Sequence, residues 1–170
     1  MNYQTFEPSK KLKEQTYYHI KLQEMNLNKA KESSYEDVKI NIKIELSALW
    51  VSVTFFYIYG DYFELYVPEK ITGIINGESM LNNPIKLFLA SLLLAIPSLM
   101  ICLSIILKPV INKWLNIVFG VFFTAIMLLI AITSISEWRV FYVFYAVIES
   151  ILTSVVVWTA FNWPKQNYNK

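Results

Sequence analysis

Three acidic residues occur in apolar parts of the chain, where a charged side chain is costly. Glu149 lies inside one apolar stretch, and Asp61 and Glu64 lie near the end of another. An acid at the centre of a membrane helix costs roughly 2.5–3.5 kcal/mol on insertion scales. Acids that occur there despite this cost commonly serve proton transfer, ion binding or recognition of a polar group.

Glu149 is the principal candidate because no lysine, arginine or histidine occurs in the apolar stretches. We predict that Glu149 is protonated at neutral pH or shares hydrogen bonds with neighbouring helices. Candidate partners by residue type and depth are Tyr57, Thr54 and Tyr145. With Asp61, Glu149 could form a proton or cation site, or the polar end of a small-ligand pocket. Alternatively, Glu149 only fixes helix packing, and Asp61 and Glu64 lie among lipid headgroups.

Two further features lie near the predicted outer surface of the membrane. Arg139 could pair with Glu64 or Glu137, and we expect such a pair to be exposed to solvent. A row of tyrosines could line a ligand pocket, although anchoring at the membrane interface is the favoured interpretation. These tyrosines are Tyr57, Tyr59, Tyr62 and Tyr66.

Long apolar stretches must position these residues. The chain has 170 residues, of which 55% are hydrophobic and 16% are charged. About 20 apolar residues cross the roughly 30 Å of hydrocarbon in a bilayer. We therefore predict an all-α integral membrane protein, and the short connections favour an antiparallel four-helix bundle. The predicted helices are at about 44–66, 85–107, 113–136 and 140–163.

Helical spacing predicts which faces of the helices meet. In the first helix, polar residues recur every three or four positions, so their shared face should point into the bundle. This face contains Ser47, Trp50, Thr54, Tyr57, Asp61 and Glu64. Small residues predict close helix contact along Ser91, Ala95, Ser98 and Cys102, and along Asn116, Gly120 and Thr124. A short helical turn on the membrane surface is predicted at Ile71, Ile74 and Ile75.

The predicted membrane domain comprises residues 38–164, and the segments on either side of it are polar. Residues 1–37 are expected to form a cytoplasmic tail, either disordered or loosely helical, and residues 165–170 a second one. The first membrane helix is expected to continue from about Glu36, with Ser34 as its cap. No cleavable signal peptide is visible, so the first span should act as an anchor. Met25 offers an alternative translation start.

The distribution of positive charge predicts orientation. Eight lysines precede the first span, Lys108 and Lys113 separate the second and third, and Lys165 and Lys170 follow the fourth. The opposite side has only Lys70, Lys86 and Arg139. Since cytoplasmic loops are enriched in lysine and arginine, both termini are predicted to lie in the cytoplasm, with the spans in the inner (plasma) membrane.

Several classes of function lack support. The net charge of +2 is small and the basic residues form no compact patch, so no nucleic-acid partner is expected. A single cysteine excludes an intrachain disulfide and a cysteine-rich metal site. No sequence motif indicates ATP hydrolysis, zinc proteolysis or dinucleotide binding. We therefore expect no catalytic residue, metal or cofactor, and enzymatic activity is not the favoured interpretation.

Several short motifs resemble a family of bacterial four-pass inner-membrane proteins that is known only as a domain of unknown function. The motifs are residues 46–50, 57–63, 95–100, 107–109, 112–117 and 158–164. The resemblance covers about Glu36 to Lys165 and implies four membrane helices without an assigned activity. It also implies acids at the positions of Asp61 and Glu149. Size and helix count resemble DoxX-like proteins at the level of fold alone.

Three hypotheses of function remain open. The first is small-molecule or proton-linked transport or sensing through Glu149, in a homodimer because four helices make a thin wall for a pore. The second is an accessory or assembly subunit that binds another membrane protein through its helix faces and tail. The third is a lipid- or quinone-handling enzyme with an aromatic outer pocket. In each of them the lipid bilayer is the immediate partner.

Overall fold

The computed structural model describes residues 10–32 and 38–164, and these residues form helices and no strands. The predicted all-α class is therefore confirmed. The helices are α1 (Lys10–Glu32), α2 (Ile42–Glu64), α3 (Lys70–Ile75), α4 (Pro84–Ile106), α5 (Pro109–Thr133) and α6 (Val140–Phe161). A 3₁₀ turn at Glu137–Arg139 leads into α6. Contacts divide the chain into an N-terminal unit, residues 1–39, and a C-terminal unit, residues 40–170.

The N-terminal unit contains α1, a polar helix. Its apolar side chains do not gather on one face, because Leu12, Ile20 and Met25 project in different directions around the helix axis. Thr16 Oγ1 donates a hydrogen bond to the carbonyl oxygen of Leu12, within the same helix. The expected helix start at Ser34 and Glu36 lies outside the described residues, as does the tail 165–170.

Four helices of the C-terminal unit are long and apolar enough to cross a membrane. They contain 23, 23, 25 and 22 residues for α2, α4, α5 and α6. At about 1.5 Å per residue they span roughly 33–38 Å, compared with about 30 Å of hydrocarbon. Their outward side chains are large and apolar, and a surface of that extent is typical of contact with lipid. Examples are Phe55, Ile58, Phe88, Leu92, Leu99, Val118, Val121, Leu129, Phe144 and Ile151.

α2 begins at Ile42, close to the predicted bound of about 44 but later than the expected continuation from Glu36. Residues 38–41 are not helical, and the Asn41 side chain accepts a hydrogen bond from the Lys43 backbone N–H at 3.0 Å. An asparagine side chain that satisfies one of the free N–H groups at a helix start favours a boundary there. The expectation of a helix that continues from Glu36 through this segment is therefore wrong.

Asparagine and proline also set the starts of α4 and α5. The Asn83 side chain accepts a hydrogen bond from the Ile85 backbone N–H at 2.8 Å, and Pro84 occupies the first helical position. Pro109 occupies the first position of α5, so only Leu107 and Lys108 separate α4 from α5. Proline suits this position because its φ angle is already helical and its missing N–H would have no partner there.

Two lysines bind the carboxyl ends of neighbouring helices. Lys43 Nζ, at the start of α2, donates hydrogen bonds to the carbonyl oxygens of Ile105 and Leu107 at 3.1 and 2.7 Å. Lys113 Nζ, near the start of α5, donates to the carbonyl oxygen of Phe161 at 2.9 Å. These oxygens have no partner within their own helices, and the positive charge is favourable beside them. We call this end of the C-terminal unit the lysine end.

A buried polar network joins three helices next to the lysine end. Asn116 Oδ1 accepts a hydrogen bond from Trp50 Nε1 at 2.7 Å and one from Ser104 Oγ at 3.4 Å. Asn116 Nδ2 donates to the carbonyl oxygen of Asn112 at 2.9 Å, and Asn112 Nδ2 donates to that of Ser104. All four side chains are inaccessible to solvent. Because unpaired polar groups are costly in apolar surroundings, the network favours one arrangement of α2, α4 and α5.

α5 packs along α6 through the face that contains the predicted small residues. Thr124 Oγ1 lies 2.7 Å from Thr153 Oγ1. A Cβ atom at Gly120 would lie 2.6 Å from Val157 Cγ2 and 3.3 Å from the carbonyl oxygen of Thr153. The predicted contact face of Asn116, Gly120 and Thr124 is therefore confirmed, and glycine is required for the close approach.

The predicted small-residue face of α4 is mostly exposed within the described residues. Ser91, Ser98 and Cys102 are exposed, whereas α4 buries Pro97, Met100 and Ser104. Along this buried face α4 contacts α2, whose Ser47 Oγ donates to the carbonyl oxygen of Ile101 at 2.9 Å. The polar contacts of α2 and α5, rather than small size, select the buried face.

We predict that Gly120→Ala lowers the free energy of unfolding of the C-terminal unit by about 1–3 kcal/mol. The added methyl group would overlap Val157, a β-branched side chain with little rotamer freedom in a helix. Thermal unfolding in detergent micelles measures the effect, and Val157→Ala should partly rescue it in a double-mutant cycle. Gly73→Ala is the matched control, because the nearest neighbour of a Cβ there would be Glu78 Oε2, at a comfortable 4.0 Å. Equal or greater stability of Gly120→Ala would contradict the proposed close contact.

Candidate functional site

A cavity of about 250 Å³ lies among α2, α4, α5 and α6, and four of the predicted site residues line it. Those four are Glu149, Asp61, Tyr57 and Tyr145. Tyr142, which the sequence reasoning missed, supplies a further polar group. The remaining wall is mainly apolar, with Leu93 and Leu94 from α4 and Ile126 and Met127 from α5 among its members.

Helical spacing brings the polar groups of the cavity together. Tyr57 and Asp61 are four residues apart on α2, and Tyr142, Tyr145 and Glu149 are three and four apart on α6. Residues at these spacings share one face of a helix. The spacing from Glu149 back to Tyr142 is the signal that could have identified Tyr142 from the sequence.

Tyr142 and Tyr145 of α6 pack beside Gly60 of α2, next to the polar groups. A Cβ atom at position 60 would lie 3.5 Å from Tyr142 Cε2 and 3.7 Å from Tyr145 Cδ2, which are ordinary van der Waals distances. Both rings therefore lie next to α2 at the wall of the cavity.

Glu149 is 4% exposed, and its surroundings are only partly as predicted. Within residues 10–32 and 38–164, no side chain forms a hydrogen bond with its carboxyl group. Thr54 does not join this group, because its hydroxyl donates to the carbonyl oxygen of Trp50, one turn earlier in α2, at 2.9 Å. Tyr57 is 9% exposed, and its buried hydroxyl oxygen has no partner among the described residues.

The electrostatic character of the cavity is acidic and aromatic. Asp61 is exposed and Glu149 is buried, so one carboxyl lies towards the surface and the other inside. Among the described residues that line the cavity, none is lysine, arginine or histidine. The Tyr57 and Phe123 ring centroids are 6.0 Å apart, and those of Phe56 and Tyr145 are 5.3 Å apart. Such a cavity suits a positively charged or protonated group more than an anion.

An ion cluster joins three segments at the end opposite the lysine end. Glu64 Oε1 lies 2.8 Å from both Lys70 Nζ and Arg139 Nη2. Of the two partners considered for Arg139, Glu64 and Glu137, the structure shows Glu64, with Lys70 as an additional member of the cluster. The pair was expected to be exposed to solvent, but the Glu64 side chain is only 13% exposed. The cluster connects the end of α2, the start of α3 and the turn before α6.

The four tyrosines at this end of α2 do not act as one group. Tyr57 lines the cavity, whereas Tyr59, Tyr62 and Tyr66 are exposed. The hydroxyl oxygens of Tyr62 and Tyr66 are 2.7 Å apart, outside the cavity. The sequence pattern therefore combined one cavity residue with three surface residues.

We predict that Glu64→Gln loosens the connection between α2, α3 and the turn before α6 but leaves the helices folded. Partly exposed ion pairs contribute roughly 0.2–1 kcal/mol each, so global stability should fall only slightly. Hydrogen exchange should become faster in peptides that cover residues 65–75 and 136–140. Glu137→Gln is the control because Glu137 is exposed and forms no ion pair among the described residues. Unchanged exchange in Glu64→Gln would argue against a role for the cluster.

Comparison with known proteins assigns the chain to a family. Neither a curated protein nor a solved structure matches it significantly. Residues 35–170 match the model described as "Family of unknown function (DUF6326)". The match includes α2 to α6 and therefore the whole cavity. Since it spans most of the sequence, the chain belongs to the DUF6326 family of unknown function.

Proposed function

We propose that the chain is a multi-pass protein of the inner membrane, with α2, α4, α5 and α6 as an antiparallel bundle that crosses the bilayer. Contacts between opposite helix ends support this arrangement. Lys43, at the start of α2, binds the end of α4, and Lys113, near the start of α5, binds the end of α6. At the other end Glu64, the last residue of α2, binds Arg139 just before α6.

In this proposal the lysine end faces the cytoplasm, as do both termini. Twelve of the 15 basic residues in the sequence would then lie on the cytoplasmic side. At the opposite end, Lys70 and Arg139 share the carboxylate of Glu64, which reduces the positive charge there. This distribution agrees with the general enrichment of lysine and arginine in cytoplasmic loops.

The activity that the cavity supports best is small-molecule or proton-linked transport or sensing, without catalysis. The observation that carries this proposal is that Glu149 and Asp61, from different helices, line the same cavity. Glu149 is the central group, because it can exchange a proton or bind a cation inside an otherwise apolar wall. Four helices enclose only a small space, so transport across the bilayer would use a homodimer.

We predict that intact cells expose the loop between α2 and α4 and protect the link between α4 and α5. Single cysteines introduced by Ser79→Cys and Lys108→Cys in a Cys102→Ala background would be treated with a membrane-impermeant maleimide. Ser79→Cys should react in intact cells, and Lys108→Cys only after lysis. The parent Cys102→Ala protein controls for background labelling. The reverse pattern would contradict the proposed orientation.

We predict that Glu149→Gln slows proton uptake by proteoliposomes at least about tenfold, because glutamine retains the shape of the side chain but cannot exchange a proton. A pH-sensitive dye inside the vesicles reports uptake after external acidification. Glu137→Gln makes the same chemical change outside the cavity and should behave as wild type. Equal rates for wild type and Glu149→Gln would rule out Glu149 as the proton carrier.

A further inference from the structure

We infer that the cavity binds a small organic monocation, an ammonium group with short alkyl substituents and a hydroxyl or N–H group. The inference rests on the proposed function, since it names the class of molecule bound at the same site. Its first support is charge. Asp61 and Glu149 line the cavity, and the basic residues Lys70 and Arg139 are already bound to Glu64 at 2.8 Å. An anion would find two carboxyl groups and no basic partner in this wall.

The wall of the cavity favours an organic cation over a metal ion. Within the described ranges, no group of three histidine, cysteine, aspartate or glutamate side chains could hold a metal. Aromatic rings instead make up much of the lining, and an ammonium group over the face of such a ring is attracted to it. The aromatic residues are Phe56, Tyr57, Phe123, Tyr142 and Tyr145. Alkyl groups on the ammonium would contact the apolar side chains of α4 and α5.

The hydroxyl of Tyr57 provides an independent indication of a ligand. Tyr57 is 9% exposed and lines the cavity, but its hydroxyl oxygen is buried without a partner among the described residues. A buried polar group without a partner destabilises the free protein. A ligand hydroxyl or N–H group would satisfy it. Binding would thus relieve a cost already present in the free protein.

The volume of the cavity limits the size of the cation. At about 250 Å³ it lies below the roughly 300–1,000 Å³ typical of sites for drug-sized ligands. An ammonium with methyl groups and one short hydroxyalkyl chain fits this limit. Long alkyl chains on all four positions exceed it.

The test uses three probes of the same shape and different charge on the purified full chain in mild detergent. Choline is the cation, 3,3-dimethyl-1-butanol is its neutral isostere, and 3,3-dimethylbutanoate is the anion. Calorimetry should show that choline binds at least about tenfold more tightly than either. Tetrabutylammonium should bind more weakly than choline because of its size. Equal or tighter binding of the neutral or anionic probe would overturn the inference.

Matched variants locate the binding event in the cavity. Ala90→Leu fills space at the cavity wall without a change of charge, and it should weaken choline binding at least about tenfold. Ser91→Leu introduces the same side chain at the exposed neighbouring position and should bind as wild type. Equal affinities for these two variants would place choline elsewhere and overturn the inference. Ala90→Leu does not alter the acids, so the test does not depend on folding of an acid variant.

The carboxyl groups and the tyrosine hydroxyl have separate signatures. Glu149→Gln and Asp61→Asn should each weaken choline binding, whereas Glu137→Gln should not. Tyr57→Phe should abolish the preference for choline over tetramethylammonium, which lacks a hydroxyl group. A folded Glu149→Gln variant that binds choline as wild type would overturn the inference. If choline binds but no proton flux is measured, the proposed transport is wrong, whereas the inferred class of ligand still holds.

Discussion

Unpaired polar groups are costly inside the C-terminal unit, and the Asn116 side chain avoids this cost by joining three helices through hydrogen bonds. It bonds Trp50 of α2 and Ser104 of α4 while it belongs to α5. Each bond restricts the rotation of a helix about its own axis. Tyr57 lies seven residues after Trp50, and Phe123 lies seven residues after Asn116. Because seven residues make nearly two helical turns, the same restriction directs both rings towards the cavity.

The orientation of α6 depends on its contact with α5. Thr153 bonds Thr124 through its hydroxyl, and its carbonyl oxygen lies close to Gly120. Glu149 precedes Thr153 by one turn, so the contact with α5 also sets the direction of Glu149. At the far end, Glu64 links α2 to the start of α6. The cavity therefore lies between the polar network of Asn116 and the ion cluster of Glu64.

Much of this fold can be predicted from apolar length and helical spacing, because both depend on local sequence. The four long helices and the inward positions of Tyr57 and Glu149 follow from such patterns, whereas Asp61 lines the cavity from an exposed position. The starts of α2 and α5 do not, because an asparagine cap and a proline at the first position override the apolar pattern. The bond between Lys70 and Glu64 depends on the turn before α3, where Glu69 has a φ angle of 63°. A left-handed glutamate has no clear sequence signal.

The pairing of polar groups elsewhere bears on the two interpretations of Glu149. If Glu149 only fixed helix packing, its carboxyl should hold a partner on a neighbouring helix, as the Asn116 amide does. In residues 10–32 and 38–164 it bonds no side chain, and the buried Tyr57 hydroxyl in the same cavity is likewise unpaired. Both residues line one cavity, in which a partner from outside the chain could bind. This favours an exchangeable occupant, a proton or a bound cation, over a purely structural role.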